Sequence, residues 1–330
     1  MNPLRLVAFV LLLVLAALSG RAAAAPPACS LDSITNLSFG TVDPIGGNVD
    51  AVATLSYHCT FTGFLTGGSA SMCFNIGRGT GGTTWTPRTL KNGTQTMNFQ
   101  IYQDASRTLL WSGTGGPPSP DSASVQFPAG FLNTQTQSGQ LTLYGRVPLG
   151  QVSLASGNYT SFFSGGDATM TYNAAEAFLG PPSPPSTCTG DGSDSVSFTA
   201  SANVASLCRI DTATDMAFGA APSNFASNLD QTSAITMTCT SGTAWNLGLD
   251  NGQNASGLTR RMKLGASFVT YELYRNSGRS LRWGNTIGAD TLTGTGSGTG
   301  QSVPVYGRVP VQSPVPAGSY SDKVTVTVTY

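Results

Sequence analysis

The segment YGRVP occurs twice in this chain, at Tyr144–Pro148 and at Tyr306–Pro310. Each copy leads into a Gly-x-Tyr segment, GNYT at Gly157 and GSYS at Gly318. The second is followed by SDKVTVTVTY (Ser321–Tyr330), which alternates apolar and polar side chains with the period of two that a half-buried strand requires. A segment repeated in this way marks a duplicated unit, so the chain reads as two copies of one domain.

The copies align from end to end. CSLDSITNLSFG (Cys29–Gly40) matches CRIDTATDMAFG (Cys208–Gly219), and Cys59 matches Cys239. YQDASRTLLW (Tyr102–Trp111) matches YRNSGRSLRW (Tyr274–Trp283) without a gap. The unit is roughly 130 to 150 residues long, beyond the period of solenoid repeats. Its patterning is β throughout: QLTLYGRV, AITMTC and MNFQIY alternate, and Asn92-Gly93 and Asn251-Gly252 are hairpin signals. No segment combines helical periodicity with caps. Short strands between Gly-rich turns predict an all-β sandwich in each half. The Pro/Ser/Gly-rich run GPPSPPSTCTGDGSD (Gly180–Asp194) is expected to link them. The expected organisation is a leader over 1–25, a first domain over 26–179, the linker over 180–194 and a second domain over 195–330.

The 330 residues carry 16 basic and 16 acidic side chains, and 10% of residues are charged. A balanced charge argues against nucleic acid and against a polybasic membrane patch. Arg5 followed by LVAFVLLLVLAAL and the small residues of GRAAAAPPA reads as a secretory signal cleaved near Ala23–Pro26, which predicts export. Export makes disulfides the expected state of the six cysteines. The alignment pairs them: Cys29–Cys59 and Cys208–Cys239 are equivalent, which leaves Cys73–Cys188. No C-x-x-C is present to suggest a redox pair.

Residues for enzymatic chemistry are scarce. The one histidine, His58, faces Thr238 in the alignment, and a triad would have to depend on it. The cysteines are committed, so no zinc set remains. Asp191 and Asp194 lack the calcium-loop pattern. Asp43 and Asp50 would be the carboxylate pair of a glycosidase, but no such pair recurs in the second copy. GTGSGTG near Gly294 opens no helix and is no phosphate loop. No catalytic residue, cofactor or metal is expected. The repeated Tyr102/Tyr274, Arg107/Arg279, Trp111/Trp283 and Arg146/Arg308 are expected to pack and pair structurally, with a ligand cleft as the alternative.

Taken together, Cys-x(9)-Phe-Gly, the second cysteine, Tyr…Leu-x-Trp, YGRVP and the terminal AGSYSDKVTVTVTY resemble the spore coat protein U domain family, whose members resemble subunits of archaic chaperone–usher pili. The second copy matches closely and the first more loosely. The resemblance implies immunoglobulin-like, pilin-type sandwiches, the second lacking its last strand. Val324, Val326, Val328 and Tyr330 would then border an open apolar groove. A periplasmic chaperone would fill it in transit through an outer-membrane usher, and a strand of another pilin in the fibre.

Before Cys29 the expected mature chain has almost nothing to donate. SVSFTASANV (Ser195–Val204), by contrast, is donor-like, with Val196, Phe198, Ala200, Ala202 and Val204 on one face. It either completes the first domain or begins the first strand of the second. The first copy also carries loops absent from the second, bearing Phe61, Phe64 and Leu65, then Phe127, Phe131 and Leu132, then Phe162 and Phe163, then Phe178 and Leu179. Large apolar residues in Gly/Pro-bounded loops predict contact with a hydrophobic surface or a receptor. The expectation is a pilus-tip adhesin at the cell surface that mediates attachment and biofilm formation. The alternative is a secreted coat or matrix protein without a specific ligand.

Overall fold

The computed structural model describes residues 25–113 and 120–330, so the leader lies outside the described residues apart from Ala25. The fold is all-β, in two immunoglobulin-like sandwiches. One short 3-10 turn (Gly165–Asp167) is the one helical element among the described residues. No helix among them is long and apolar enough to cross a membrane.

The first sandwich is built from β1 (Ala28–Ile34), β2 (Leu37–Val42), β3 (Val49–Phe64), β4 (Thr66–Ile76), β5 (Arg88–Asn92), β6 (Gln95–Tyr102), β7 (Asp121–Phe127), β8 (Phe131–Val147), β9 (Gly157–Phe163), β10 (Ala168–Phe178), β11 (Gly192–Ser195) and β12 (Phe198–Val204). They form an eight-stranded sheet, β1-β3-β8-β6-β5-β9-β12-β2, and a four-stranded sheet, β11-β10-β4-β7. The second sandwich comprises β13 (Cys208–Ala213), β14 (Leu229–Cys239), β15 (Ala244–Leu249), β16 (Arg260–Leu264), β17 (Ser267–Tyr274), β18 (Leu292–Thr295), β19 (Gly300–Val309) and β20 (Val326–Thr329). Its sheets are β13-β14-β19-β17-β16 and β18-β15-β20.

Alternation sets the faces. Along β3, Ala53, Leu55, Tyr57, Cys59 and Phe61 point into the core while Val52 points out. Each core closes on a buried tryptophan, Trp111 or Trp283, whose indole N–H donates to a carbonyl of the facing sheet, Phe74 or Leu247, at 2.8 Å. Cys29–Cys59 and Cys208–Cys239 cross-link the first two long strands of each unit, and the same irregularity of register recurs in both, at Leu31/Ser33 and at Ile210/Thr212.

Residues 195–204 do not begin the second domain. β12 lies in the first sheet, antiparallel to β9 over its whole length and parallel to β2. Its inward residues Phe198, Ala200, Ala202 and Val204 are buried, and Phe198 stacks on Phe163 with ring centroids 4.5 Å apart. Residues 205–207 are the connection between the domains. The expected linker is also part of the first domain. β11 pairs with β10, and the preceding segment lies along β4 as a strap. Ser69 and Ser71 donate their hydroxyls to the carbonyls of Ser183 and Pro185, Gln126 donates to that of Pro182, and Cys73 is bonded to Cys188. Asp191 and Asp194 accept the backbone N–H groups of Ala174 and Leu31. A run that reads as solvated is thus held by side chains from strands far away in sequence.

Three of the expected surface residues are core. Phe61 (2% exposed), Phe127 and Phe163 (0%) continue the inward parity of their strands, as Phe61 does two residues after Cys59. Because Phe198 fills the seam between β9 and β2, Phe198→Ala should lower the stability of the first domain by about 3–5 kcal/mol. Urea unfolding with the disulfides intact measures it.

Candidate functional site

The repeated motifs form scaffold. The Arg146 guanidinium grips Asp50 with two bonds of 2.7 and 2.8 Å, and Arg308 grips Asp230 with two of 2.7 Å. Arg107 and Arg279 approach the same carboxylates at 3.3 Å and donate to the carbonyls of Gly145 and Gly307. Each stands over the tyrosine that opens YGRVP. That glycine is needed for space: a Cβ at Gly307 would lie 1.9 Å from the Met216 sulfur. His58 hydrogen-bonds Asp32 at 2.6 Å, as Thr238 does Asp211 in the other copy, so it takes a place in the same framework.

A second duplicated anchor is not evident from motif reading. Arg88 and Arg260, each fourteen residues before the aligned tyrosine, are buried at the centre of the sandwiches. Arg88 donates to the carbonyls of Gly77, Ile76 and Trp111 at 2.7, 2.8 and 2.6 Å and to the Gln100 side chain. Arg260 reaches those of Asp250, Leu249 and Trp283, and Glu272 replaces the glutamine. Burial pushes the Arg88 guanidinium down to about 9. The signal was present in the fixed spacing to the tyrosine.

The two copies differ at one seam. In the first domain β12 occupies the gap between β9 and β2. In the second domain the equivalent borders are Gly318–Val324 and Met216–Ala221, and no strand lies between them among the described residues. Met216–Ala221 is itself irregular. Met216 and Phe218 are half-buried, whereas their equivalents Leu37 and Phe39 are buried. The trough holds adjoining cavities of about 680 and 540 Å3. Its floor is apolar: Met216, Phe218, Met262, Val269 and Leu273 line it. Tyr271 donates to Asp322 at 2.7 Å at its wall, and burial pushes that phenol far above its usual range. Of the expected groove strand, Val324 and Val326 line the trough. Val326 and Val328 pair with Leu249 and Leu247 in the three-stranded sheet, where Val328 does not line the trough, and Tyr330 is exposed. Regular strand begins only at Val326, since residues 321–325 lack the neighbour that β12 supplies to β9.

At the other end of the molecule the apolar loops converge. The β3–β8 ladder runs from Val49↔Val147 to Phe64↔Phe131, about 50 Å of strand. At its end the Phe64 and Phe131 rings stand 4.9 Å apart. The Leu65 N–H donates to the Gly130 carbonyl and the Leu179 N–H to the Leu65 carbonyl, both at 2.8 Å, so three loops form one backbone-bonded plate. Phe64, Leu65, Phe131 (71%), Phe178 and Leu179 (70%) are exposed on it. Phe162 is exposed elsewhere, on β9 beside Thr80. The Leu132 side chain lies outside the described residues. Leu65 and Leu179 are held at φ of 55° and 65°, the left-handed region that bulky residues avoid.

Two immunoglobulin-like sandwiches, the first closed by β12 and the second open along the same seam, define a pilin-type architecture. The chain belongs to the Spore Coat Protein U domain family, whose model matches residues 15–164 and 194–327. Protein U of Myxococcus xanthus is 41% identical over 81 residues, 24% of this chain, and the match spans 45% of that relative's length. In fold the chain is similar to a chain of the CsuC–CsuE chaperone–tip adhesion subunit pre-assembly complex from the archaic chaperone–usher Csu pili of Acinetobacter baumannii. There the TM-score is 0.51 at 17% identity, covering 92% of this chain and 100% of that one.

The Arg–Asp grips carry an acid dependence. The hydrogen bond from Arg146 first, then the Arg107 and Arg146 charges, hold the Asp50 carboxyl below its usual range against the cost of burial, and Arg308 does the same for Asp230. A depressed folded pKa contributes stability that is present above the unfolded value near ~3.9 and lost as pH falls through the folded one. Stability should therefore drop on acidification below about 4. The Asp50→Asn/Asp230→Asn variant should show a shallower acid loss in urea unfolding followed across pH.

Proposed function

We propose that this chain is the terminal, adhesive subunit of a surface fibre built by strand complementation. One observation carries the reading: the seam that β12 closes in the first domain is empty in the second. An open apolar trough beside unpaired backbone is a site for a strand from another chain. In the fibre a neighbouring pilin supplies that strand, and before assembly a periplasmic chaperone covers the trough, as the complex containing the similar Csu chain suggests by analogy. An outer-membrane usher and export through the leader complete the pathway. The first domain, already closed, faces outward and presents the apolar plate. The role is binding and not catalysis.

The plate acts by removing apolar area from water. A phenylalanine or leucine contributes roughly 1.5–3 kcal/mol at full burial, and many tips per cell multiply weak contacts into avidity. Leucine in the left-handed region costs about 1–2 kcal/mol per residue, which asparagine tolerates better. What these leucines add at that cost is exposed apolar surface. Leu65→Asn/Leu179→Asn, with Phe131→Ser, should leave thermal stability at or above that of the parent and fibres intact, while cells lose attachment to hydrophobic plastic. Undiminished attachment would favour the coat or matrix reading. In contrast, Val324→Asp in the trough should abolish incorporation into fibres, read by immunogold labelling of sheared material.

A further inference from the structure

The junction between the two domains has a component besides the strand. The loop after β8 in the first domain, Gln151–Ser156, rests on the second domain. Ala155 bridges Ser241 in parallel register. Gly298, at φ +80°, lies so close to the loop that a Cβ there would stand 1.8 Å from the Val152 oxygen. Ser241 and Gly298 belong to two turns beside the Cys208–Cys239 disulfide, tied by the Gly242 N–H to the Gly296 carbonyl and by the Gly298 N–H to the Cys239 carbonyl, both at 2.9 Å. The loop is therefore a plug and the turns are its socket.

The plug recurs in the second domain with the same glutamine and tyrosine side-chain bonds, although the Leu154 N–H donates to the Gln151 carbonyl whereas the Val315 N–H donates to that of Ser223. Gln151 accepts the Asn98 N–H at 2.6 Å and donates to the Asn98 and Pro148 carbonyls, while Tyr159 donates to the Ala155 carbonyl at 2.8 Å. Gln312 accepts the Thr270 N–H at 2.9 Å and donates to the Thr270 and Pro310 carbonyls, while Tyr320 donates to the Pro316 carbonyl at 2.9 Å. Ser313 and Pro316 occupy the places of Val152 and Ala155, and both are exposed.

We propose that Gln312–Ala317 is a docking surface for the next subunit, a Spore Coat Protein U domain, and that it seats on that subunit's turns beside its own first disulfide. This rests on the strand-complementation reading and adds a second contact to it. The intramolecular junction specifies the partner: glycine where this chain has Gly298, and a donor strand whose last inward residue lies four before its first cysteine, as Val204 does before Cys208. The contact is polar in direction. In the first domain the places of Ser241 and Gly298 are taken by Phe61 and Thr136, which lie within the extended β3–β8 ladder. That domain has a plug and no socket, so another subunit can follow it but none can seat above it.

Photoreactive benzoylphenylalanine, placed singly at Pro316, Ala217 or Ala155 of the full-length protein in fibre-producing cells, tests this. The Ala155 probe should cross-link within the chain to the turn at Ser241, which validates the chemistry. The Pro316 probe should capture the peptide just after the second cysteine of a neighbouring family subunit, and the trough-edge Ala217 probe the segment before that subunit's first cysteine. If Ala217 gives its product but Pro316 gives none, or captures another peptide, the docking surface is refuted and strand complementation stands. If neither captures a fibre subunit, both fall.

Discussion

A β-strand cannot leave its backbone groups and one core face unpartnered without cost, and the architecture of this chain is arranged around that constraint. β2 makes its ladder with β12 alone among the described residues. The equivalent stretch, Met216–Ala221, has similar residues and no strand beside it, and it is irregular. Two equivalent stretches that share Phe-Gly are therefore strand in one domain and irregular in the other, and a neighbouring strand is present only in the first. Secondary structure here is a property of the pairing.

The scaffold that tolerates this difference is held from within. Arg88 and Arg260 each tie the carbonyl ends of one sheet and the tryptophan loop to the opposite sheet through a single fork of donors, a task lysine lacks the geometry for. The Asp50 and Asp230 grips fasten the long central strands in the same way. With both devices duplicated, the first domain could acquire a longer β3–β8 ladder and its loops without disturbing the seam at the other end.

Much of this was legible in the residues. The self-alignment identifies the cystine partners that the structure joins, because equivalent positions in a duplicated fold occupy equivalent places. The parity of Val196 to Val204 showed a strand with one apolar face, though which sheet it joins depends on partners 35 to 47 residues away in β9 and far more distant in β2. Parity also explains the misreadings: Phe61, Phe127 and Phe163 sit in segments that look like loops, yet each keeps step with a buried residue two positions away. The fixed spacing of Arg88 and Arg260 to the tyrosine marked a repeat without showing its burial, and the strap over β4 and the socket glycine were not legible, since their partners are backbone groups that only the folded chain brings near. Composition marked Gly180–Asp194 as a linker and the Cys73–Cys188 pairing tied it to the first domain, but its ladder with β10 and its bonds to Ser69 and Ser71 were not legible.

The strap has a mechanical consequence. Tension transmitted from the second domain enters the first through β12, along its axis, so the ladders on both sides resist in shear, many bonds loading together. If β12 were drawn out, the chain behind it would not run freely towards the apolar plate, because Cys188 is bonded to Cys73. The slack is limited to the stretch between Cys188 and Cys208, about 70 Å when extended. The disulfide works as a tether of fixed length: the second domain could be drawn away by that length while the plate remains fastened to its own sheet.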